Sequence, residues 1–112
     1  MIRMRVWDIE PSKLCKDHLL GEHRELHAIW SILTQGKQGY SKHPETKRWV
    51  GKLKALYNRH EKLVEEMKNR GYNHHTDLDV FLAIGEEVQN EHVDSYEEQI
   101  KILRGKNCNC KV

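Results

Sequence analysis

Residues 18–26 read HLLGEHREL, which places two glutamates, two histidines and an arginine between leucines. At about 100° of rotation per residue, Cys15, Leu19, Leu26 and Leu33 fall along one line of a helix, the stripe that faces a core. His18 and Glu25 lie two turns apart on a second line beside it. A carboxylate at that margin is partly stripped of water, which raises its proton affinity unless a cation or donor compensates. Such a group suits general acid–base chemistry. The same position also suits a boundary glutamate paired with a neighbouring Arg or Lys.

His23 and His27 stand four residues apart with Glu22 beside them, the spacing at which two imidazoles share a metal. No second pair answers them: His60 stands alone on the next helical stretch, and His74 and His75 fall in a loop. The pattern therefore sets no metal and no cofactor as the expectation. Cys15 reads as a small core residue, and Cys108 and Cys110 as part of an exposed tail, GKNCNCKV. One intervening residue is not the paired Cys-x-x-Cys spacing of a structural zinc site. Unpaired thiols point to a reducing, cytoplasmic setting.

A second signal is positive charge. Residues 47–70 hold Lys47, Arg48, Lys52, Lys54, Arg59, Lys62, Lys68 and Arg70 against three glutamates. Clustered cations of this kind suit phosphate, since released counterions drive non-specific binding. A solvated lysine-rich face would look the same. Over the whole chain the net charge is +2, but residues 1–76 carry +6 and residues 77–112 carry −4. The acidic part is expected to face away from a polyanion.

These residues need elements to hold them. Pro11 and Ser12 resemble a helix start with Ser12 as N-cap. The helical period from Lys13 runs to the TQGKQG loop, where glycines end it. Trp49, Leu53, Leu56, Tyr57, His60, Leu63, Val64 and Met67 give the clearest amphipathic helix, ending at Arg70-Gly71. A third helical region is expected over residues 77–112, broken at Gly85, with a cap at Thr76 or Asp77. With 112 residues, 38% hydrophobic and 32% charged, and no strand alternation, the expectation is an all-α bundle of about three helices in one domain, residues 1–112. No apolar run approaches the ~18 residues of a membrane span, and no secretory leader is apparent.

HLLGEHREL closely resembles the helix of the pyrimidine dimer DNA glycosylase family (the phage endonuclease V type), which reads His-Leu-x-x-Glu-x-Arg-Glu-Leu. KLKALYNRHEKLVEEMKNRGYN, residues 52–73, resembles that family's long second helix. GYSKHPETKRW resembles the connection in its short cellular members. The resemblance implies a DNA repair enzyme, a glycosylase with abasic-site lyase activity on double-stranded DNA, with no required protein partner. In that family a terminal amine attacks the sugar's anomeric carbon, an imine forms, and β-elimination cuts the strand with help from a glutamate. Carried over, Glu25 is that glutamate and Met4 falls on the nucleophile's position, three residues inside Met1. Arg5, His18 and Arg24 match the family's DNA-contacting residues, and Arg48 and Lys52 join them as expected phosphate contacts. Asp17 and Ala28 depart from a glutamine and an arginine of the phage enzyme, and its aromatic C-terminal segment has no counterpart. The alternative is a non-catalytic nucleic-acid-binding module on the same scaffold.

Overall fold

The computed structural model describes residues 6–36, 43–72, 77–106 and 110–111. Met4, Arg5, His74, His75, Thr76 and Cys108 lie outside the described residues. The architecture is helical, as composition and periodicity imply. A 3-10 turn, Pro11–Lys13, leads into α1 (Lys16–Gln35). A single turn, α2 (Pro44–Lys47), precedes α3 (Leu53–Asn69). A second 3-10 turn, Val80–Leu82, and α4 (Tyr96–Arg104) follow. Among the described residues the sole strand-like pairing is an isolated antiparallel bridge, Lys52 to Gly85.

The core forms where α1 and α3 pack. Leu19, Leu26 and Ile29 of α1 and Leu56 and Leu63 of α3 are completely buried. Each such side chain stabilises the fold by about 1.5–3 kcal/mol relative to exposure. Val6, Trp7 and Ile9 pack into the same cluster, as do Trp30, Trp49 and Leu103. The segment before α1 is therefore an integral part of the core.

Helix ends follow sequence in places. Gly36 closes α1 in a left-handed conformation, φ 67°. At the end of α3, Gly71 has φ 78°. There the Tyr72 amide donates to the Met67 carbonyl and the Gly71 amide to that of Lys68. This crossed pair of bonds is a Schellman ending, which needs the positive φ that glycine supplies.

Three expectations are corrected. Ser12 does not cap α1: the helix starts three residues later, with Cys15 at the cap position. Trp49 and Lys52 precede α3 rather than belonging to it. Residues 77–95 hold only one 3-10 turn, which Asp79 caps by accepting from the Phe81 amide. Their apolar residues are not a core stripe, since Phe81 is 88% and Val88 70% exposed.

That segment has another task. The first amides of a helix lack intrahelical acceptors. In α3 the Lys54 amide donates to the Ile84 carbonyl and the Ala55 amide to that of Glu86, while the Glu86 amide returns a bond to the Gly51 carbonyl. Gly85 makes this approach possible: its φ is 90°, and a Cβ there would lie 2.2 Å from the Gly51 oxygen. A chain segment, in place of a side chain, caps the helix.

Candidate active site

The α1 face carrying His18, Gly21 and Glu25 opens into a pocket of about 140 Å³, completed by Trp7, Asp17, Glu22, Ile102 and Lys106. Glu25 is half-buried. Burial pushes its carboxyl pKa above the usual 4.5, with the charges of Arg24 and His43 pulling the other way. The raised proton affinity inferred from the edge of the core stripe is thus present. Arg24 is exposed and its guanidinium passes over Gly21, where a Cβ would stand 3.8 Å from Nη2.

His18 meets Trp7 edge-on, with ring centroids 5.9 Å apart at 88°. Its pKa is lowered, first by burial and then by the positive charge of Lys106. The imidazole is therefore neutral near pH 7, able to donate from one nitrogen and accept at the other. Its Nδ1 lies 3.1 Å from Cys15 Sγ and 3.3 Å from Cys110 Sγ. Cys110 is thus half-buried against α1, held also by the Cys15 amide at 3.1 Å, and is not part of an exposed tail.

Glu22 is 2% exposed, in the core stripe itself. It receives a two-pronged ion pair from Arg59, 2.7 Å from Nε and 3.0 Å from Nη2. Arg59 Nη2 also donates to the Ile9 carbonyl at 2.9 Å. Glu22 is therefore committed to Arg59, not to the neighbouring histidines.

Arg48 and Lys52, expected as phosphate contacts, are turned into the protein. Arg48 is 5% exposed. Its guanidinium donates to Glu45 at 2.7 Å, to both Asp8 oxygens at 3.2 Å, to the Glu91 carbonyl at 2.9 Å and to the Val6 carbonyl at 2.7 Å. It also stacks on Trp49 at 4.7 Å. Lys52 is 6% exposed and points at Gln89 (2.9 Å) and Glu91 (3.3 Å). With Arg59 and Arg70, four of the eight cations of residues 47–70 are spent inside the protein; Arg70 donates to the Leu14 carbonyl at 2.6 Å and to Glu66 at 2.7 Å. A basic side chain in a sequence looks the same whether its carboxylate is in the protein or its phosphate is in DNA.

These internal cations hold the chain start. Asp8 is gripped by Arg48, by His92 at 2.9 Å and by the Gln99 amide at 2.9 Å, and its own amide donates to Gln99 at 2.8 Å. The backbone entering the pocket at Trp7 is thus fixed on both sides.

A family model described as pyrimidine dimer DNA glycosylase matches residues 4–80. The chain belongs to that family. The match takes in α1, α2 and α3 and the pocket residues from Trp7 to Glu25, leaves out Ile102 and Lys106, and stops at the second 3-10 turn. No curated protein and no solved structure matches the chain. No described helix is long and apolar enough to cross a membrane. In this chain α1 brings His18 and Glu25 to one face, with the Arg24 guanidinium reaching over Gly21 beside them, while Arg48 and Lys52 lie elsewhere. His43 and Lys106 were not singled out by sequence. Lys106 and His43 influence the site through charge from distant chain positions, which spacing cannot reveal.

Proposed function

We propose that this protein is a DNA glycosylase with abasic-site lyase activity, acting on pyrimidine dimers or related lesions in duplex DNA through an amine at the chain start. The observation that carries the reading is Glu25: a carboxyl of raised proton affinity, beside Arg24, on a pocket that Trp7 also lines. The family match, beginning at residue 4, supports the same register.

The chemistry follows from the groups. An N-terminal amine has a pKa near 8, so a useful fraction is neutral and nucleophilic at physiological pH. Its lone pair attacks the anomeric carbon as the bond to the damaged base breaks. The resulting iminium acidifies the neighbouring sugar proton, whose removal expels the 3′ phosphate oxygen. Glu25 stabilises positive charge on the sugar as an anion and shuttles protons during ring opening and elimination. Arg24 contacts a backbone phosphate, and neutral His18 hydrogen-bonds at the pocket rim. Met4 is two residues from Val6, a covalent reach of about 7 Å, and Trp7 already lines the pocket. Met4 serves as nucleophile when it is the first residue of the active chain; otherwise the Met1 amine takes the role. Extrusion of the damaged nucleotide gives access to the sugar.

The test is borohydride trapping on an abasic-site duplex and on a thymine-dimer duplex, with mass mapping of the adduct. A reduced adduct on the amine of Met4 or Met1 is expected. DNA binding with no adduct on either duplex overturns the enzymatic reading in favour of a non-catalytic module.

A further inference from the structure

On the far side of α1 from Glu25 lies a second cluster. His23 and His27 are each about 160° around the helix from Glu25, at 100° per residue. α3 packs His60 against them. His27 Nε2 lies 3.2 Å from His23 Nε2 and 3.1 Å from His60 Nε2. The three ring centroids form a near-equilateral triangle with sides of 4.5, 5.1 and 4.9 Å. His60 is completely buried, and the other two are half-buried.

Hydrogen bonds between the Nε2 atoms of this trio cannot all form at once. His60 Nδ1 is 3.1 Å from Glu61 Oε1. A carboxylate accepts, so Nδ1 is assigned the proton and Nε2 a lone pair directed into the cluster. An imidazole nitrogen holds a proton or a lone pair, never both. His27 Nε2 can therefore form a good hydrogen bond with one of its two Nε2 neighbours, not with both. A cation facing three lone pairs satisfies all of them at once. Tetrahedral zinc, with Zn–N of about 2.0–2.1 Å, sets its nitrogen ligands about 3.3–3.4 Å apart. The two Nε2 contacts are within a few tenths of an ångström of that.

The geometry points to a divalent transition-metal site, zinc first, formed by Nε2 of His23, His27 and His60, with water in the fourth position. Glu61 is the carboxylate that orients His60 from outside the ligand shell. The site joins α1 to α3, the two helices that form the core, and lies away from the Glu25 pocket. Its role is a staple between those helices. Glu22, committed to Arg59, takes no part.

A rival exists. Cys15, His18 and Cys110 also bring three ligand atoms within 4.8 Å of one another. Cobalt separates the two, because thiolate ligands add an intense near-ultraviolet charge-transfer band and imidazoles do not. The experiment uses the untagged full chain, stripped by chelator. It is titrated with Zn²⁺ against a chromophoric competitor, and with Co²⁺ in the spectrophotometer. Expected are one ion per chain, visible cobalt bands without a thiolate band, and a raised melting temperature. His23→Gln with His27→Gln, at half-exposed positions and checked for helicity by circular dichroism, weakens zinc binding by more than ~100-fold. Glu61→Gln weakens it by about tenfold. Absence of binding by the folded chain overturns the proposal. So does a thiolate band with zinc affinity that survives in the double histidine variant and disappears in Cys15→Ser, Cys110→Ser.

Discussion

At the scale of single residues, Glu25 joins function to a cost in stability. Burial raises its pKa, so the folded chain holds this proton more tightly than the unfolded chain does. The sign follows: as pH rises through the raised value, ionised Glu25 weakens the fold. Glu25→Gln is therefore expected to melt no lower than the parent at pH 7, while strand cleavage falls by about 10²–10⁴-fold, the usual worth of a proton-transferring group. Duplex binding should stay within about twofold. A variant that cleaves at the parental rate would remove Glu25 from the mechanism. Cleavage by the parent needs both the neutral amine and the Glu25 anion, so its rate should fall first through the amine at about 8 and then through a second, steeper break above 4.5 that is absent in Glu25→Gln, measured as a pH profile on an abasic-site duplex. A second break at or below that value would mean that burial does not tune the group. Sequence rotation angles alone placed Glu25 and His18 at the edge of the core. They did not reveal Glu22 inside it, since a buried glutamate is tolerable only with Arg59, and that partner is 37 residues away.

At the scale of elements, periodicity carried furthest where a helix packs along its whole length. α1 and α3 emerge where apolar residues recur at three- and four-residue spacing, and their closing glycines sit at Gly36 and Gly71. Residues 77–95 share a helical rhythm but bury little of it, because their backbone is committed to the start of α3. Gly85 is the test of that commitment. Gly85→Ala places a methyl against the Gly51 oxygen and demands a strained φ, so it should cost more than about 2 kcal/mol. Urea denaturation would read this as a lower midpoint, and an unmoved midpoint would mean that the segment does not cap the helix. The histidine trio was hidden for a related reason. The pair on α1 was visible, but the helix packing that delivers His60 is not encoded in local spacing.

At the scale of the whole molecule, the acidic C-terminal third grips the chain start. Asp8 is held by Gln99 of α4 and by His92, and Arg48 ties Val6 and Asp8 to Glu45 and to the Glu91 carbonyl. Opposite charges of the two parts also meet directly, Lys52 with Glu91 at 3.3 Å, so part of the charge segregation between residues 1–76 and 77–112 is internal attraction, which the net charges alone left open. Arg48→Gln breaks a buried ion pair, a loss of about 3–5 kcal/mol. It is expected to lower the melting temperature and slow adduct trapping. The salt dependence of DNA binding should not change, whereas each lost phosphate contact flattens that slope by about one. A flattened slope would return Arg48 to the DNA interface. The capping of α3 by Ile84 and Glu86 has one more effect. The start of a helix is commonly where an anion is bound, drawn by the exposed amides and the positive end of the dipole. Here two of those amides already donate to the protein's own carbonyls, so α3 has little left to offer a phosphate there. The lysine side chains of this helix are left as mobile point charges, which attract a polyanion while reading neither sequence nor register.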